Sequence, residues 1–158
     1  MRLSHVPLRV TTGAFILNAG WGKRSLPPEA AAGMQRIATS AFPQLADVSP
    51  ATFGKAMAAG EMAVGLTLLA PFVSPVVAGA ALAAFSGGLL RMATASNGTA
   101  SARSAPEKDA IAREVWMLGT GLALVTDGLS DGARRTAKRT GKAARRQAKA
   151  VRSALPVP

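Results

Sequence analysis

The chain has 158 residues, enough for one domain with little left over, and its 49% hydrophobic content is poor in aromatics (4%) and lacks Tyr. So few large side chains argue against a sizeable soluble core and suit helices that pack closely in lipid, while the absence of Cys and a single His, His5, exclude disulfides, thiolate chemistry by this chain and metal catalysis. The net charge of +11 is uneven: Arg134, Arg135, Lys138, Arg139, Lys142, Arg145, Arg146, Lys149 and Arg152 supply nine of the charges without one acid, leaving residues 1–133 at +2.

Four apolar segments follow in chain order. Leu8 to Gly22 is interrupted by Arg9, Thr11, Thr12 and Asn18. As a helix it places Arg9, Thr12, Ile16, Gly20 and Lys23 on one face and Trp21 opposite. A cleaved leader over residues 1–22 is the alternative; Arg2 and Arg9 supply a basic start, but TTGAFILNAG is a poor apolar region and no small-residue cleavage pattern follows.

Ala56 to Phe72 and Val76 to Met92 are the clearest segments, each about 17 residues or ~26 Å of helix, divided by the break PFVSP. In the first, Glu61 has Ala58 and Gly65 one turn away on either side, so a neighbouring helix can come close. In the second, Ala80, Ala84, Gly87 and Gly88 share a side with Arg91, whereas Leu82, Phe85, Leu89 and Met92 lie on the other. The small stripe predicts the packing face, and it turns Arg91 inward. Ile111 to Leu129 closes the series, with Arg113, Glu114 and Asp127 toward its ends and Trp116 nearly opposite Glu114.

The expected fold class is therefore an all-α membrane protein: a four-transmembrane-helix bundle over residues 1–133 with a basic C-terminal cytoplasmic extension over 134–158. A soluble helical bundle is the competing class. The bases of the tail place the C-terminus in the cytoplasm, and four spans return the N-terminus there. Lys23, Glu61, Arg91 and Glu114 then share the external leaflet and form a balanced charge cluster, either structural or a site for a small polar ligand, a proton path or a quinone headgroup. Asp127, near the cytoplasmic end, pairs with Arg9 in this reading.

In order and spacing, RVTTGAFILNAGWGKR, GMQRIATSAFPQLADVSP, EMAVGLTLLAPF and REVWMLGTGLALVTDG resemble DoxX-type membrane proteins over residues 8 to about 131. The resemblance implies a four-helix membrane bundle with a short external helix between the first two spans, and it points to Arg9, Lys23, Glu61 and Glu114. Some members are linked to quinone-coupled or thiol-protecting redox assemblies. The chain departs from the family by lacking Cys, so a thiol step would belong to a partner, and by its long basic tail.

The tail reads as a solvated topology signal or as a contact for anionic lipid headgroups; nucleic acid would ask for aromatics or a reading fold that it lacks. No Walker loop, dinucleotide fingerprint or nucleophile triad occurs, and Asn97-Gly-Thr is a sequon without meaning in the bacterial compartment that the composition suggests. The expected function is a non-enzymatic accessory or scaffold subunit of a membrane redox or respiratory assembly, with the bilayer and other membrane subunits as partners, homo-oligomers open and no cofactor of its own. The alternatives are a small quinone-linked oxidoreductase or carrier using the cluster, and a soluble nucleic-acid-binding helical protein.

Overall fold

The computed structural model describes residues 5–95 and 104–154, the side chains of 5 and 151–154 excepted; Asn97 and the Arg152 side chain lie outside what it describes. Among the described residues there are five α-helices and no strand: α1 (His5–Lys23), α2 (Pro28–Ala41), α3 (Pro50–Leu69), α4 (Pro75–Ala95) and α5 (Ala105–Ala154). A short 3-10 helix (Pro43–Asp47) links α2 to α3.

The helix starts are written locally. Ser49 caps α3, its hydroxyl accepting from the Thr52 amide at 3.3 Å ahead of Pro50. Ser74 accepts from the Val77 amide at 3.2 Å ahead of Pro75. At α5, Ser104 and Glu107 stand in capping-box spacing, and the Ser104 amide donates to Glu107 Oε2 at 2.7 Å. A proline in the first turn costs nothing where the amide has no intrahelical partner, and the serine oxygen satisfies one orphan donor.

α3 ends at Leu69, three residues short of the expected Phe72, because Pro71 cannot continue it. No break falls at residue 133: α5 runs for 50 residues straight through the expected boundary between bundle and tail.

Packing joins α1 to α3 and α4 to α5 as antiparallel pairs, each through glycines. A Cβ on Gly65 would lie 2.8 Å from the Leu17 amide nitrogen, and one on Gly20 would lie 2.9 Å from the Ala58 carbonyl oxygen. Gly79 and Gly121 bring α4 and α5 together in the same way. The pairs meet over a core of Ile16, Val64, Leu68, Ala78, Leu82, Met117 and Leu124.

The small stripe expected to face the interior on α4 does not. Ala80 and Ala84 are exposed, while Ala78, Gly79, Leu82 and Ser86 are buried and Phe85 packs against the core. Both sides of α4 are apolar and carry small residues, so no polarity contrast selects a face. Contact is set by the one line on which α5 fits.

Only α4, among the described residues, is long and apolar enough to cross a membrane. The other three helices that contain expected spans carry more charge: Arg9 and Lys23 in α1, Lys55 and Glu61 in α3, and six charged residues within the first 23 positions of α5.

α2 lies against α3 and α4, burying Ala31, Gln35, Ala38 and Ala41. Gln35 Nε2 donates to the Leu45 carbonyl at 2.7 Å and to the Val48 carbonyl, holding the 3-10 turn against α2. Gln35→Ala strips both carbonyls, so a loss of about 1–3 kcal/mol is expected. It should appear as a lower Tm with faster protease cleavage between residues 42 and 49; an unchanged cleavage rate would rule out this role for the side chain.

Candidate functional site

The buried polar side chains concentrate in the interior between the helix pairs. Arg9, Thr12, Glu61, Ser86, Glu114 and Thr120 are each at most 7% exposed. Two separate arrangements use them.

At the α3–α4 hairpin, Arg9 donates from Nε to the Leu68 carbonyl at 2.8 Å and from Nη1 to the Val73 carbonyl at 3.0 Å. Its Nη2 donates to the Thr67 and Ala70 carbonyls at 3.1 and 2.9 Å. The last carbonyls of a helix have no intrahelical donors and carry partial negative charge, and a planar guanidinium reaches several at once. The expected pairing of Arg9 with Asp127 gives way to this cap.

Near the other end, Lys23 at the close of α1 donates to Glu61 Oε1 of α3 at 2.5 Å. Glu114, one turn past the middle of the first three turns of α5, has Arg113 Nε 3.5 Å from its Oε1. Glu61 and Glu114 are 5% and 4% exposed. The second oxygen of each carboxylate is buried without a hydrogen-bond partner among the described residues.

Two cavities border this group. One of about 90 Å³ is walled by Phe15, Ile16, Phe85, Leu89 and Met117, with Lys23, Glu61, Arg113 and Glu114 at its polar end. The other, about 220 Å³, lies on the α2 side with Met34, Ile37, Met57 and Met92 in its wall and the same four charged residues. The Thr12 and Ser86 hydroxyls, fully buried and without partners among the described residues, extend the polar interior.

Three of the four expected cluster residues thus share these cavities, and one does not. Arg91 is exposed, its guanidinium 4.7 Å from the centroid of the Phe42 ring. It belongs to the face of Ala80 and Ala84, so when α4 turns that face outward Arg91 goes with it. Arg113 takes its place as the second base. Arg113 is expected near the end of its segment and not in the cluster; it adjoins Glu114, and neighbours in sequence point to different sides of a helix. Its half-exposed side chain reaches back along the surface to the carboxylate.

Trp21 and Trp116 are 56% and 55% exposed, facing away from Glu61 and Glu114, in keeping with the expected faces of α1 and the start of α5. The tail bases Arg134, Arg135, Lys138, Arg139, Lys142, Arg145, Arg146 and Lys149 are all exposed on α5; none lines the cavities at Glu61 and Glu114, and Arg135 borders a cleft at the α3–α4 hairpin. No protein-family model, curated protein or solved structure matches the chain.

Proposed function

We propose that the chain is a four-span, bilayer-embedded bundle with both ends cytoplasmic, serving as a ligand-holding subunit of a larger membrane assembly. The observation that carries the ligand reading is the pair of orphaned carboxylate oxygens, Oε2 of Glu61 and of Glu114, at cavities with apolar and aromatic walls. A cluster that served only to fix helix register would gain by satisfying both, since a buried acceptor without a donor is costly.

The membrane reading is supported by a reversed distribution of polarity. Arg9, Thr12, Glu61 and Glu114 are inside, while Val10, Phe15, Leu66, Val77, Val115 and Leu122 are 48–57% exposed on the outside. Water as the surrounding solvent disfavours both halves of that pattern, and lipid favours both. Arg9, Lys23, Glu61 and Glu114 are then carried by partners within the bundle, which the composition of each helix alone does not register.

The chemistry of the site selects the ligand. Two carboxylates and two bases sum to no net charge, so a neutral molecule suits it. It must donate to the carboxylates and seat a flat apolar body in the cavity of about 220 Å³ on the α2 side, the one of the two with room for a ring. A hydroquinone headgroup has those features. Membership of a redox assembly rests on the DoxX-like order of motifs.

Equilibrium binding of a short-chain hydroquinone to the purified chain in nanodiscs tests the site. Glu114→Gln should weaken binding about 10-fold or more, as loss of a hydrogen bond to a charged group does, at unchanged Tm. Equal affinity of wild type and variant would remove the ligand reading and leave the scaffold role, which co-purification of a stoichiometric membrane partner would then have to support. Release by alkaline carbonate would end the membrane reading.

A further inference from the structure

We propose that the part of α5 beyond the bundle is an arm that folds at Gly132 onto the anionic lipid surface of the membrane, its basic stripe against the headgroup phosphates. The proposal rests on the bilayer reading given above. It concerns a different part of the chain from the ligand pocket.

Tertiary support for α5 stops abruptly. A Cβ on Gly128 would sit 2.6 Å from the Val76 side chain, whereas one on Gly132, a turn later, would meet nothing within 4 Å. From Gly132 to Ala150 every residue is exposed, and Gly141 also meets nothing. Glycines without contacts are the weak points of an exposed helix.

The charges on this segment are one-sided. At 100° per residue the eight bases from Arg134 to Lys149 fall within an arc of about 140°. Thr136, Ala137, Thr140, Ala144, Gln147 and Ala148 fill the remainder, and no acid occurs. A topology signal needs only the number of bases; a stripe is needed only by a helix that lies along something. The face opposite lacks large apolar side chains, so the arm rests on a surface without inserting or joining a coiled coil.

Distance decides how the stripe must meet the bilayer. From Arg134 to Lys149 it extends about 23 Å. Surface potential decays over ~8 Å at physiological salt, so an upright helix would bring only its first turn within reach. Lying flat brings all eight bases to the headgroups. Beside the joint, Phe72 is 88% exposed on the α3–α4 hairpin and shares a cleft of about 300 Å³ with Gly132 and Arg135. An exposed aromatic at the foot of the arm gains contact at a lipid interface, and a soluble polyanion offers it none. The arm has no aromatic residue on which nucleic-acid bases would stack.

Because the chain has no Cys, Ala148→Cys places a single fluorophore on the arm of the full-length protein. It is reconstituted in vesicles of phosphatidylcholine, with or without phosphatidylglycerol, each containing a headgroup-linked quencher. Quenching should rise about two-fold or more with the anionic lipid and return to the neutral-lipid value at high salt. Replacing Arg139, Lys142, Arg145 and Arg146 together by Gln should abolish the rise. Equal quenching in both vesicles after incorporation would overturn the arm alone. So would displacement of the label from anionic vesicles by an RNA homopolymer, which would assign the stripe to nucleic acid. Failure to incorporate in either vesicle would overturn the bilayer reading, and the arm with it.

Discussion

Arg9→Ala should prevent recovery of a stable bundle, giving a Tm lowered by tens of degrees or no monodisperse protein. The side chain is 2% exposed and spends its donors on four carbonyls of residues 67, 68, 70 and 73. Alanine leaves those acceptors facing a cavity at the C-terminal end of α3, where the helix dipole concentrates negative charge. Each deprived buried group costs about 1–3 kcal/mol, and partial relaxation keeps the total on the order of 3–5 kcal/mol. Against a typical stability of about 5–15 kcal/mol that is a large share. Arg9→Lys retains the charge, but an ammonium cannot reproduce the planar fork, so an intermediate loss is expected. Thermal unfolding of the purified variants in mild detergent measures the series. An R9A protein that melts with the wild type would show that the α3–α4 hairpin does not depend on this cap.

Gly79→Val should separate α4 from α5. An added Cβ would stand 2.5 Å from the Gly121 carbonyl oxygen and 2.8 Å from Leu124 Cβ. The obstruction is backbone, which cannot rotate aside, so the loss should exceed the ~1–3 kcal/mol typical of an overpacked core. Gly88→Ala, on the same helix with no atom within 4 Å of the added Cβ, should be neutral or stabilising by up to about 1 kcal/mol. The two substitutions separate the observed packing face from the one that residue size suggests. Greater damage from Gly88→Ala than from Gly79→Val would reverse the assignment.

The contrast between Arg91 and Arg113 has a functional consequence. Arg91 in the cluster would leave two bases buried with two acids, a tightly closed group. With Arg113 instead, one base approaches from a half-exposed position, and the cavities on both sides of Glu61 and Glu114 keep an accessible polar wall. The bundle is thereby better suited to hold a small molecule than a fully satisfied cluster would be.

The existence of the span-bearing helices and the break at PFVSP were legible in residue order, because prolines and turn breaks act over three or four positions; the start of α3 was not, since the apolar pattern begins at Ala56 and the helix begins six residues earlier at Pro50. Ser49-Pro50 and Ser74-Pro75 start their helices by the same local chemistry anywhere. The inner face of α1 was legible too: Arg9, Thr12, Ile16 and Gly20 differ from Phe15 and Trp21 enough for helical periodicity to separate them, and all four are buried. The sequence placed Lys23 and Glu61 in one four-membered cluster; their direct pairing came from the structure.

Tertiary structure alone decided the rotation of α4, the exclusion of Arg91, the recruitment of Arg113 and the four-carbonyl cap on Arg9. On α4 the energetic difference between faces is one of shape, and shape has meaning only once a partner helix is present. A guanidinium at the start of α1 finds its acceptors nearly sixty residues away, where the end of another helix happens to expose them. Local chemistry places helices and polar faces; which face meets which neighbour is a property of the packed whole.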